Sequence, residues 1–84
     1  MKAELDKRDQ KRYAQAESYD RIQAFAQAKV ELDEIIAKEP RAIDALLFRA
    51  RLLTELKQWP QAETDVEAAL ALSTDYYRPA LYQL

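Results

Sequence analysis

The chain has no glycine, no cysteine and no histidine, and only three prolines among its 84 residues. Each absence removes a class of structure or chemistry. Without glycine there is no phosphate-cradling loop, no tight hairpin turn and no Gly-rich linker. Without cysteine no disulfide or thiolate metal site can staple the chain. Without histidine the commonest general base and metal ligand is missing. A dominant charge is also lacking: 13 Lys and Arg face 15 Asp and Glu, for a formal net charge of −2. Nucleic acid is thereby set aside as a partner, because binding it takes a basic field. No apolar run approaches the ~20 residues of a membrane span. The opening MKAELDKRDQKR has no apolar signal core. The expectation is a cytoplasmic, non-catalytic protein with no cofactor, no metal and no membrane contact. An excised or engineered piece of something longer fits the same features.

What the chain does have is helix formers: Ala, Leu, Glu, Gln, Lys and Arg dominate it. One small all-α domain with a modest core is expected. The punctuation is EPRA around Pro40, KQWPQ around Pro60 and LSTDYYRP from Leu72 to Pro79. Pro40 disfavours helix at Glu39, whereas Pro60 and Pro79 suit the first turn of a helix. A softer break, with neither Gly nor Pro, falls near Gln23 to Phe25. Helices are expected near 5–22, 25–38, 42–56 and 60–72, with a stub over 79–84. Residues 1–8 form a charged extension that continues the first helix or frays. Short connections make sequential helices antiparallel neighbours. Glu63 and Glu67 share a helix face and could in principle hold a hard cation. Nothing else converges on them, so a solvated face is the expectation.

The stretch LLFRARLL, Leu46 to Leu53, is too apolar for an ordinary surface helix. At roughly 100° per residue, Ile43 to Leu56 shows one narrow polar strip of Asp44, Arg51 and Glu55. Leu47 and Phe48 flank that strip, and Arg49 is the exception on the apolar remainder. A helix of this kind needs neighbours on most sides.

A shift of 34 residues aligns the sequence with itself. Ala16 falls on Ala50, Tyr19 on Leu53, Ile22 on Leu56 and Phe25 on Trp59. Ala28 falls on Ala62, Leu32 on Val66, Ile35 on Ala69 and Ile36 on Leu70. Size is matched as well as polarity, and a two-helix unit of this period marks one repeat class. On these residues the chain resembles the tetratricopeptide repeat (TPR) family over roughly 9–84. The repeats lie at about 9–42 and 43–76, with 77–84 as the opening helix of a third. In the first, Ala16 stands at the family's Gly, Tyr19 at its Tyr, Ala28 and Leu32 at its small and large second-helix positions, and Pro40 closes the unit. In the second, Leu46, Ala50, Leu53, Ala62 and Val66 take those places. Arg12, Gln15, Ile35, Arg49 and Thr74 depart from the pattern. The first two make the first helix a polar end, and the stem of Arg49 is expected to snorkel over the core.

The resemblance implies antiparallel hairpins stacked as a short right-handed solenoid, with a concave groove lined by the first helix of each repeat. The groove would then hold Gln10, Tyr13, Ala14, Glu17, Asp20 and Arg21 from the first helix. Asp44, Leu47, Phe48, Arg51 and Glu55 would follow from the third, and Arg78 and Tyr82 from the stub. Glu17 with Arg51, and Arg21 with Glu55, would neutralise each other across its floor. Leu47 and Phe48 would form an apolar anchor for a peptide or helix of a partner protein, filling no core space. Tyr13 and Glu17 stand where the family's chaperone-binding members have Lys and Asn, which disfavours a carboxylate clamp. The function implied is a protein–protein interaction module. The rival is a structural, self-associating unit, joined through the Phe48 face or the 79–84 stub.

Overall fold

The computed structural model describes the backbone of residues 6–82 and the side chains of residues 6–73. It contains four helices, α1 (Lys7–Arg21), α2 (Phe25–Lys38), α3 (Ile43–Glu55) and α4 (Trp59–Tyr82), and no strand among the described residues. Each helix packs on the next in the chain, α1 on α2, α2 on α3 and α3 on α4.

Local chemistry sets most of the boundaries. Asp6 caps α1, its carboxylate accepting the Asp9 N–H at 2.8 Å. That bond, and then one from the Lys38 ammonium at 3.1 Å, hold the Asp6 carboxyl below its ordinary 3.8. Lys38 sits in the last turn of α2, so this contact ties the start of one helix to the end of its antiparallel neighbour. Asp9, only 3% exposed, lies 3.8 Å from Lys38 Nζ and 3.9 Å from Arg12 Nε. Glu39 stops α2 with φ −135° and ψ 82°, outside the helical region as a residue before proline must be. Pro60 falls in the first turn of α4, where its missing N–H costs nothing.

The two turns inside the hairpins are copies of one another. Gln23 and Lys57 are the only described residues with positive φ, 62° and 61°, and they stand 34 residues apart. Gln23 N–H donates to the Asp20 carbonyl at 2.9 Å and Ala24 N–H to Tyr19 at 2.8 Å. Lys57 N–H donates to Thr54 at 3.0 Å and Gln58 N–H to Leu53 at 2.8 Å. Both are Schellman ends, with a left-handed residue satisfying the last carbonyls of the preceding helix. The repeat read in the side chains is therefore also present in the backbone.

Small residues stand where the helices meet. Ala16 and Ala28 are fully buried, and Ala50 and Ala62 are 5% and 6% exposed. The main cluster joins Ala16 to Leu32 and Ile35 of α2, to Ala42 at the N-cap of α3, and to Ala45 and Leu52 of α3. The two copies differ in what covers them. Leu32 is buried beneath α3, but its counterpart Val66 is 38% exposed; Ile36 packs on the cluster, but its counterpart Leu70 is 60% exposed.

One expectation fails. The break over Leu72–Pro79 and a separate stub from Pro79 are not found, because α4 runs unbroken from Trp59 to Tyr82. The physical reason lies in EAALALS: six strong helix formers carry the helix past Ser73, and Leu72 to Arg78 offers no glycine to stop it. Pro79 falls inside the helix and costs it one i→i−4 bond. The side chains of the expected third repeat over 77–82, and residues 83–84 altogether, lie outside the described residues. So does the extension over 1–5, whereas Lys7 and Arg8 open α1. Among the described residues no helix is long and apolar enough to cross a membrane.

Candidate functional site

α1 and α3 hold equivalent places in the two hairpins, and a cleft of about 490 Å³ opens between them. Its lining is Tyr13, Glu17, Asp20 and Arg21 from α1 and Asp44, Leu47, Phe48 and Arg51 from α3. Eight of the thirteen groove residues expected from the sequence are thereby brought together. Glu55 is exposed and lies outside the lining, as do Gln10 and Ala14. The side chains of Arg78 and Tyr82 lie outside the described residues.

The cleft has an aromatic floor. The rings of Tyr13 and Phe48 meet edge to face, 5.4 Å between centroids and 65° between planes. The Arg51 guanidinium lies over the Phe48 ring, 5.2 Å from its centroid. Arg51 also donates to the Asp20 carboxylate at 2.6 Å, across from α3 to α1. Beside them Leu47 is 47% exposed. Burial pushes the Tyr13 phenol up from its ordinary 10, and the negative fields of Asp44 and Glu17 add to this against Arg51. The phenol is therefore a neutral hydrogen-bonding group at any physiological pH.

Two expectations about this surface are corrected. Arg51 pairs with Asp20 rather than Glu17, and Arg21 and Glu55 do not pair. Arg51 stacks on Phe48, and from there its guanidinium meets the Asp20 carboxylate. Phe48, expected to fill no core space, is half-buried and packs on the central cluster together with Tyr13. One side of its ring belongs to the core and the other to the cleft.

A second polar feature was not foreseen. Arg49 does not snorkel: its guanidinium makes two bonds of 2.7 Å to the Asp65 carboxylate and one of 3.0 Å to Asp33. Asp33 in turn accepts from Lys29 at 2.8 Å. Asp65 is 4% exposed, and the Arg49 side chain 21%. The carboxylates push the Arg49 guanidinium up from its already high ordinary value, Asp65 first, against the cost of burial. The network joins α2, α3 and α4 through charges that cancel. The spacing was its only sequence mark, since Asp33, Arg49 and Asp65 stand 16 apart on three successive helices. A cleft of about 400 Å³ beside it is lined by these same groups with Leu53, Gln58, Gln61 and Thr64. Among the described residues no three acidic or imidazole groups converge as a metal site would require.

No family model, no curated protein and no solved structure matches the chain.

Proposed function

We propose that the chain is a TPR-like helical-repeat module, curved in the right-handed sense of that family, which binds a peptide or helix of another protein in the α1–α3 cleft. The observation that carries this reading is the floor of the cleft. Tyr13, Leu47 and Phe48 leave apolar and aromatic surface open to solvent between two helices, and Arg51 is held above it by Phe48 and Asp20. Such a floor offers an apolar side chain a place to lose water. Glu17, Arg21 and Asp44 on the rim supply polar contacts that fix register. The cleft has a mixed rim, so it suits a segment carrying both charges around one apolar anchor.

The test is selection of peptides from a random displayed library on the intact chain. Each enriched peptide is then titrated against wild type and Phe48→Ala. Loss of about 30-fold or more in affinity, equivalent to ~2 kcal/mol, is the expected result. Circular dichroism of the variant at the assay temperature checks that it is folded. Enriched peptides that bind a folded Phe48→Ala as tightly as wild type would remove the cleft from the account.

A further inference from the structure

We infer that α4 carries a second interaction surface, and that its occupant is the α1 helix of another copy of this chain, docked head to tail. The argument starts from the internal repeat. On α2 the stripe Phe25, Leu32 and Ile36 belongs to the core: Leu32 is fully buried in the cluster to which α3 adds Ala45 and Leu52, Phe25 and Ile36 are half-buried against that cluster, and Arg49 of α3 is bonded to Asp33. Thirty-four residues on, α4 presents the same stripe as Trp59, Val66 and Leu70, which are 59%, 38% and 60% exposed. No described element lies over it. The molecule thus contains its own template for what belongs there: a helix in the place of α3.

Charge selects the helix. On α2 the stripe is flanked by Lys29 and Asp33, which cancel. On α4 the counterparts are Glu63 and Glu67, both exposed, and residues 59–73 contain no Lys or Arg. An occupant must therefore bring cations. Residues 59–73 of a second copy bring only further carboxylates. The α1 helix is the counterpart of α3 by the same shift, and where α3 meets α2 with Ala42, Ala45 and Arg49, α1 has Arg8, Lys11 and Gln15. These three are exposed and, with Arg12 and Glu31, line a shallow cleft of about 290 Å³ at the end of the molecule. Further along α1 stand Tyr19 and Ile22, 37% and 73% exposed, counterparts of Leu53 and Leu56 in α3.

Docked antiparallel, as α3 is on α2, α1 sets Tyr19 and Ile22 toward Trp59. The stems of Lys11 and Arg8 then cross Leu70 while their charges reach the acidic flank. Arg and Lys replace the alanines of the internal template, so the contact is looser than α2 on α3 and depends more on charge. It is also heterologous, so each copy keeps one free end and assembly is open.

Sedimentation of the intact chain tests this. In about 20 mM salt the mean mass should rise with concentration beyond a dimer, and in about 300 mM salt the association constant should fall at least tenfold. A tail variant, Glu63→Lys with Glu67→Lys, and a head variant, Arg8→Glu with Lys11→Glu, should each be monomeric. Their equimolar mixture should associate again, because each supplies the sign the other lacks. All four positions are exposed, so helix content should be unchanged. Should a charge variant lose helix, Leu70→Gln replaces it and should weaken association at least tenfold. Phe48→Ala should leave association unaltered, which separates this surface from the α1–α3 cleft. A wild type that stays monomeric at low salt, or a closed dimer that survives in both charge variants, overturns the proposal.

Discussion

Gln23 and Lys57 hold the left-handed conformation that most helix ends give to glycine, in a chain that has none. A side chain with a Cβ is disfavoured there by roughly 1–2 kcal/mol. Glycine relieves that strain but adds freedom to the unfolded chain, by about 0.4–1 kcal/mol. Gln23→Gly and Lys57→Gly should therefore each stabilise the fold by about 0.5–1 kcal/mol, and the pair should add. Urea unfolding of the three variants reads this directly; destabilisation by both single changes would deny the twin turns. The positions show how far single residues were legible. Nothing in the local sequence around Gln23 marks a turn. Its place followed only from the later copy, where Pro60 supplies the punctuation that Phe25 to Gln27 lacks. Arg51 was legible as a groove residue but its partner was not, since the choice between Glu17 and Asp20 depends on where the Phe48 ring holds the guanidinium.

Helices α2 and α3 could be placed closely because each is bounded by chemistry that acts locally: Pro40 behind Glu39, and the repeated turns. The end of α4 was misplaced because LSTDYYRP reads as a break by composition, yet Leu72 to Arg78 contains neither glycine nor proline, and the helix carries Pro79 at the cost of one hydrogen bond. The third-helix question, what LLFRARLL packs against, is answered by α1, α2 and α4. α1 reaches it through Tyr13 and Asp20, α2 through the core cluster, and α4 through the network on Arg49. Among the described residues that network is the one place where three helices are joined by charge. Arg49→Leu leaves Asp65 buried beside apolar surface and should cost about 3 kcal/mol, toward the low end for a broken buried pair because Arg49 keeps partial solvent contact. Arg49→Leu with Asp65→Leu removes both charges and should come within about 1 kcal/mol of wild type. Unfolding curves for the single and double variants check the pattern. A single change with no measurable cost would show that the ion pair does not hold α3 to α4.

At the scale of the molecule, two hairpins in series leave three surfaces whose fates differ. The seam between α2 and α3 holds the buried cluster; the outward face of α4 repeats that seam without a cover among the described residues; and the α1–α3 cleft keeps an aromatic floor open to solvent. The 34-residue shift made the seam and the cleft legible, because it places α1 and α3 in equivalent positions. It gave no sign that Phe48 divides its ring between core and cleft, since period alone does not say how deep a flanking residue sits. The claim that the cleft is the recognition surface is tested most directly by mapping a bound peptide on the intact chain. A tightly selected peptide would be titrated into isotopically labelled protein while backbone amide shifts are followed by NMR. Perturbations should concentrate on Tyr13 to Arg21 of α1 and Asp44 to Arg51 of α3, and the Phe48 ring signals should move with them. Shifts gathered instead on the outward face of α4, around Val66 and Leu70, with the Tyr13 and Phe48 signals unmoved, would contradict the account.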